Sequence, residues 1–133
     1  MQGVIGEVAA VSAGAVFAVS GIAVASEAVI LPSGLQASLH ETRLDDEGRV
    51  YRLRFVAPGF EGGEAALARI ADDMAYLCRD VALPEVAAMA APPERVVISL
   101  ADKAAEFGEY DPAVTQSFEA FRVDGGRCIW EPF

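Results

Sequence analysis

The chain has 133 residues, enough for one domain, and carries ten Lys and Arg residues against 20 Asp and Glu residues, for a formal net charge of −10. Negative charge of this size repels phosphate backbones, so we expect no nucleic-acid partner. The sequence contains no P-loop, GxGxxG, HExxH or GxSxG motif, and we therefore expect no cofactor and no metal.

The first element in chain order is an uncharged run from Val8 to Ala25. It ends in Ala23-Val24-Ala25, the small-x-small pattern that precedes signal-peptidase cleavage, so we expect an exported, periplasmic protein that begins at Ser26. The run is also just long enough to span a bilayer, which leaves an uncleaved inner-membrane anchor as the alternative. Residues 1–7 contain no Lys or Arg, although a signal segment normally carries positive charge there.

Residues 1–25 are therefore assigned to the signal segment and residues 26–133 to a single domain. Alternation of apolar and polar residues predicts a hairpin at its start, with residues 45–48 as a polar turn. The inward-facing side chains of this hairpin are Leu35, Ala37, Leu39, Tyr51, Leu53 and Phe55.

Two helices are predicted next. Apolar residues at three- and four-residue steps from Leu67 to Val81 indicate an amphipathic helix, with Asp72 and Asp73 on its solvent side. Pro84 is expected to open a second, shorter helix.

Three strands complete the predicted domain. The β-branched run at residues 95–100 indicates a central strand that is buried on both faces. A two-residue turn at Gly125-Gly126 then pairs Val123 with Cys128 and Phe121 with Trp130. The predicted fold class is α+β, with helices on one face of an antiparallel or mixed sheet of about five strands in the order ββααβββ.

The chain contains two cysteines, Cys78 and Cys128. An even pair in an oxidising compartment is usually a bridge, so we expect one disulfide between them. A pair of reduced, buried thiols is the alternative. Their separation excludes a CxxC redox motif, and two cysteines with one distant histidine are too few ligands for a zinc site.

Several short segments of the domain resemble segments of a protein family. They are LCRDVALP at 77–84, ISLAD at 98–102, FGEYDP at 107–112, FEAFR at 118–122 and CIWEPF at 128–133. The sequence resembles an uncharacterised alphaproteobacterial family of short exported proteins with a single domain of unknown function. The resemblance implies bacterial export and fits the cysteine pair, but it implies no catalytic residue.

Few residues offer acid–base or metal chemistry. His40 is the only histidine, and we expect it to be exposed on a strand without a catalytic partner. Four carboxylates lie in one loop, but their spacing matches no EF-hand. They are Asp102, Glu106, Glu109 and Asp111.

Arginines offer a better candidate surface. Arg52 and Arg54 share the outward face of a predicted strand, and Arg43 and Arg122 flank them if the two hairpins adjoin. Such a group suits an acidic protein or an anionic envelope component. The alternative is that these arginines are paired across strands with Glu41, Glu119 and Glu131.

The hypothesis from the sequence is a non-enzymatic periplasmic interaction or accessory domain. A membrane-anchored accessory subunit of an envelope complex differs only in keeping residues 8–25. A small envelope hydrolase that uses His40 with a loop carboxylate is the alternative from another class.

Overall fold

The computed structural model describes residues 27–133. The expected signal segment, its cleavage point before Ser26 and the alternative anchor lie outside these residues. Within residues 27–133, no helix has the length and apolar character needed to cross a membrane.

Six strands form one sheet in the order β1-β2-β3-β4-β5-β6. Their bounds are β1 Ala28–Ile30, β2 Gln36–Asp45, β3 Val50–Val56, β4 Arg95–Ala101, β5 Gln116–Asp124 and β6 Arg127–Glu131. Neighbours are antiparallel except for β3 and β4, which are parallel, so the sheet is mixed, the second of the two predicted arrangements. The predicted strand number is one too low because β1 has only three residues and shows no alternation.

The helical segment is one continuous run of 24 residues between β3 and β4, and the prediction of two separate helices is wrong. It consists of a 3-10 turn Glu64–Ala66, helix α1 Leu67–Tyr76, a π-helical turn Leu77–Ala82 and helix α2 Leu83–Ala87. Pro84 has no N–H for the carbonyl of Asp80, and its ring would crowd that carbonyl in a regular α-helix. The π-turn just before Pro84 absorbs this defect, so the chain continues as a helix.

One face of the sheet, here called the helix face, packs against this segment. The core contains Leu53 and Phe55 from β3, Ile98 from β4, and Met74 and Leu77 from the helical run, all of them essentially inaccessible to solvent. The helix is thus on one face of the sheet, as predicted. β4 is also buried on both sides, because Val97 on the opposite face is only 3% exposed.

A disulfide joins the helical segment to the edge of the sheet. Cys78 lies in the π-turn and Cys128 in β6, with a Cα–Cα distance of 6.3 Å, so the predicted pairing is confirmed. The predicted register of the last hairpin is also confirmed, because Val123 is opposite Cys128. Gly125 and Gly126 both have positive φ, at 60° and 77°, as a tight two-residue hairpin turn requires.

Asp73 departs from the prediction that it faces solvent. Its side chain is buried, with 2% exposure, and it accepts hydrogen bonds from the Ser33 N–H at 2.9 Å and the Ser33 hydroxyl at 2.6 Å. Asp73 follows Ile70 by three residues and precedes Leu77 by four, so it falls on the apolar stripe of the helix. Through these two hydrogen bonds, Asp73 holds the turn between β1 and β2 against α1.

Candidate partner-binding surface

A β-bulge at His40 decides which face of the sheet Glu41 occupies. Leu39 is opposite Phe55, but the next aligned pair is Glu41 with Arg54, so His40 is the extra residue. Without the bulge, Leu39 and Glu41 would share the helix face. The bulge instead places Glu41 beside Arg54, on the face that points away from the helix.

This second face, here called the arginine face, brings together three of the four predicted arginines. Arg43 in β2 is directly opposite Arg52 in β3, and Arg54 lies two residues further along the same strand. The aromatic ring of Phe107 lies over them. The guanidinium carbons are 4.1 Å (Arg43), 5.6 Å (Arg52) and 5.5 Å (Arg54) from the ring centroid, within the range of cation–π attraction.

Carboxylates partner all three arginines. Glu41 is held between two of them, with one oxygen 2.5 Å from Arg54 Nη1 and the other 3.1 Å from Arg43 Nη1. Arg52 Nε is 2.5 Å from an Asp45 oxygen. The hydrogen bond from Arg54, followed by that from Arg43, lowers the pKa of Glu41. This arrangement of Arg54 and Arg43 around Glu41, here called the clamp, therefore favours an ionised carboxylate.

The three arginines differ in how much surface they leave for a partner. Arg54 is only 12% exposed, and its Nη2 donates to the backbone carbonyl of Ala105 at 2.8 Å, so it ties the loop after β4 to the sheet. Arg43 and Arg52 are 38% and 30% exposed. Arg43 and Arg52 therefore remain accessible, whereas Arg54 has a structural role.

Arg122 lies on the same face but outside this cluster. The two hairpins do not adjoin, because β4 lies between β3 and β5. Arg122 is instead opposite Arg95 and forms ion pairs with Asp124 at 2.9 Å and Glu131 at 3.4 Å. The expected cross-strand pairing thus holds for Glu41 and Glu131, whereas Glu119 is on the helix face and accepts a hydrogen bond from the Trp130 indole.

His40 lies at a shallow cleft of about 320 Å³ next to the cluster. The cleft is lined by His40, Glu41, Arg43, Arg54, Ala105, Glu106 and Phe107. His40 forms no ion pair with any carboxylate among residues 27–133. The lining includes no Ser, Thr or Cys that could act as a nucleophile.

The acidic loop uses two of its carboxylates to hold its own backbone. Asp102 accepts from the Thr115 N–H and Asp111 from the Ala113 N–H, both at 2.9 Å. In the part of the chain that the structure describes, no three His, Cys, Asp or Glu side chains are grouped to hold a metal ion.

The stability of the domain should depend on pH through Tyr51, which lies on the helix face of the sheet, behind the arginines. Burial, together with its hydrogen bond to Glu85, raises the pKa of Tyr51 from 10.0 to about 12. The unfolded chain ionises first, so this stabilisation is complete below pH 10 and is lost as the pH rises toward 12. We expect the urea midpoint of the wild type to fall more steeply over this interval than that of Tyr51→Phe. Parallel curves would contradict this assignment.

Comparison with known protein families identifies the family to which this domain is similar. The model of a family of unknown function, DUF6497, matches residues 11–133. The chain belongs to this family. The match covers the whole described domain and agrees with an uncharacterised single-domain family, while its bacterial origin and export remain predictions. No curated protein and no solved structure matches the chain.

Proposed function

We propose that this member of the family is a non-enzymatic periplasmic interaction domain that binds carboxylates of an acidic partner protein through Arg43 and Arg52. The observation that carries the proposal is the clamp around Glu41. Arg54 and Arg43 already hold the Glu41 carboxylate by one oxygen each, at 2.5 and 3.1 Å. Arg52 likewise holds an oxygen of Asp45 at 2.5 Å. Arginines held in this way match the planar geometry of a carboxylate.

Exposure and rigidity support Arg43 and Arg52 as the contact residues. They lie directly opposite each other on adjacent strands, and each keeps about a third of its side chain in solvent. Contact with Phe107 restricts their motion, so a bound anion immobilises less side-chain freedom than it would at a mobile surface residue. Positive groups gathered on a chain of net charge −10 also give an acidic partner one favourable place to dock.

The disulfide supports a location outside the cytoplasm. Bridges such as Cys78–Cys128 persist in oxidising compartments and are rare where glutathione and thioredoxin keep thiols reduced. The proposal therefore includes cleavage before Ser26 and release into the periplasm. The membrane-anchored form of the same domain would keep residues 8–25 and present the same surface.

One observation favours a second candidate, a small hydrolase. His40 and the loop carboxylates Glu106 and Asp111 line a common shallow depression. Because no Ser, Thr or Cys lines this depression, the simplest mechanism would have His40 activate water directly. Loss of a hydrolytic activity in His40→Ala, with unchanged peptide binding, would support this candidate over the binding domain.

A titration with a hexaglutamate peptide, followed by backbone NMR, tests the binding proposal. We expect shifts on β2, β3 and the loop around Phe107. Arg43→Gln combined with Arg52→Gln should weaken binding about tenfold or more, since charge-assisted hydrogen bonds are lost. The matched control, Arg69→Gln with Arg79→Gln, removes equal charge from the helix and should bind like the wild type.

Two outcomes contradict the proposal as stated. Equal weakening by both double variants would show a non-specific effect of net charge. Binding to vesicles of anionic phospholipid, without binding to the peptide, would assign the arginine face to an envelope lipid instead.

A further inference from the structure

Strand β6 forms an edge of the sheet that is open to a further strand. β5 is the one strand that pairs with β6 among residues 27–133. The five residues of β6 include neither Pro nor Lys, and the two charged side chains, Arg127 and Glu131, lie at its ends and have opposite signs. Trp130 in this strand is 59% exposed, which is unusual for the largest apolar side chain.

Hydrogen bonding in the neighbouring strand shows which backbone groups of β6 are directed outward. The Val123 N–H donates to the Glu94 carbonyl at 2.9 Å, so the polar groups of Val123 point toward β4 and away from β6. Its partner Cys128 must then direct its own N–H and C=O away from β5, since these directions alternate in antiparallel pairs. The same applies to Trp130, two residues further along.

From these groups we infer that two copies of the protein pair through β6, antiparallel, about a two-fold axis at Ile129. This register places Cys128 of each copy opposite Trp130 of the other, so that their outward N–H and C=O groups form four hydrogen bonds. Two six-stranded sheets would become one continuous sheet of twelve strands. The interface is isologous and closes on itself, as most dimer interfaces do.

The charges of β6 complement one another in this register. Arg127 would lie opposite Glu131 of the second copy on both sides of the axis, because each is two residues from Ile129. Arg127 has no ion-pair partner within residues 27–133. Opposite charges directly across two strands stabilise the pairing, and the parallel alternative would bring like charges together.

A cavity on the helix face suits the exposed Trp130. A cleft of about 320 Å³ is lined by Ala75, Arg79, Gly126, Arg127 and Cys128. Trp130 of the second copy lies directly opposite Cys128 on the same face, so its indole reaches this cleft. A tryptophan in a pocket near the centre of an interface is a frequent source of binding energy, and the symmetry supplies two of them.

Cysteine cross-linking tests the pairing and its register. At the two-fold axis the Cα atoms of residue 129 are about 4.5 Å apart, which a disulfide can bridge, so oxidised Ile129→Cys should form a reducible covalent dimer. The control is Arg127→Cys on the same strand and face, oxidised at a concentration at which sedimentation shows that it is still a dimer, because this substitution also removes an interface ion pair. The Cα atoms of residue 127 in the two copies would be about 13 Å apart, because they are offset by four residues along the strands, and they should not cross-link.

Sedimentation equilibrium of the purified protein provides the second measurement. The wild type should be a dimer, and Trp130→Ala should raise the dissociation constant at least about tenfold without changing the fold by circular dichroism. Equal cross-linking at positions 127 and 129 would overturn the register. A wild-type protein that stays monomeric, together with an Ile129→Cys variant that forms no cross-link, would overturn the dimer.

Discussion

Replacing Cys78 by Ser is expected to lower the free energy of unfolding by roughly 2–5 kcal/mol, as loss of a native bridge usually does in a small exported domain. The bridge spans 50 residues and ties the edge strand β6 to the helical segment, so the open chain gains conformational freedom on unfolding. Urea denaturation of the variant and of the wild type, each with and without reductant, measures the loss.

Comparison with Cys128→Ser distinguishes the contribution of the disulfide to stability from the contribution of side-chain packing. Cys78 is fully buried, whereas Cys128 is only partly buried. Both variants lose the bridge, but Cys78→Ser also places a hydroxyl in the core and should be the less stable of the two. If reductant leaves the wild-type midpoint unchanged, packing alone fixes β6, and the assigned role of the bridge is wrong.

Replacing Asp73 by Ala is expected to cost roughly 2–4 kcal/mol, because two hydrogen bonds to a buried charged group are lost. Both bonds come from Ser33, 40 residues away, and they hold the turn between β1 and β2 against α1. Thermal and urea unfolding measure the loss. The neighbouring Asp72 is exposed, so Asp72→Ala is the matched control and should change stability by less than about 0.5 kcal/mol.

A double-mutant cycle identifies the contact responsible. Ser33→Ala keeps the backbone N–H bond to Asp73 and removes only the hydroxyl bond, so it should cost less than Asp73→Ala. The effects of the two substitutions should not add, because the residues share one interaction. Additive effects, or equal losses from Asp72→Ala and Asp73→Ala, would contradict the anchoring role.

Features that depend on local periodicity were predictable from the sequence. The alternation around Tyr51 gave the inward and outward faces of β3, and the Gly125-Gly126 turn fixed the register that places Cys128 on the helix face. β4 was recognisable because a strand buried on both sides is continuously apolar. Each of these signals lies within about ten residues of sequence.

Features that depend on distant contacts were not predictable. The spacing of Asp73 from Ile70 and Leu77 places it on the apolar stripe, but a buried carboxylate there is explained only by its hydrogen bonds to Ser33. The bulge at His40 leaves no mark in the alternation that would show Glu41 crossing to the arginine face. Pro84 marks a defect in the helix, but whether the chain stops or continues through a π-turn is decided by packing.

The candidate surface combines both kinds of feature. Strand parity correctly placed Arg52 and Arg54 on one face, whereas Arg43 joins them only because the bulge at His40 reverses the alternation of β2. The separation of Arg122 follows from the insertion of β4 between the hairpins. The sequence gives no reason to place Phe107 on the arginines. The loop that carries Phe107 combines aromatic and acidic residues, but this composition does not identify the arginines as its contact.

Affinity purification from the envelope fraction, with intact mass measured on the same sample, tests the central claim most directly. The wild type and the Arg69→Gln/Arg79→Gln control should recover the same acidic protein, and Arg43→Gln/Arg52→Gln should lose it while keeping its thermal stability. The intact mass should correspond to a chain that begins at Ser26 with its two cysteines bridged. Recovery of the same partner by all three forms, or two free thiols in the envelope protein, would contradict the account.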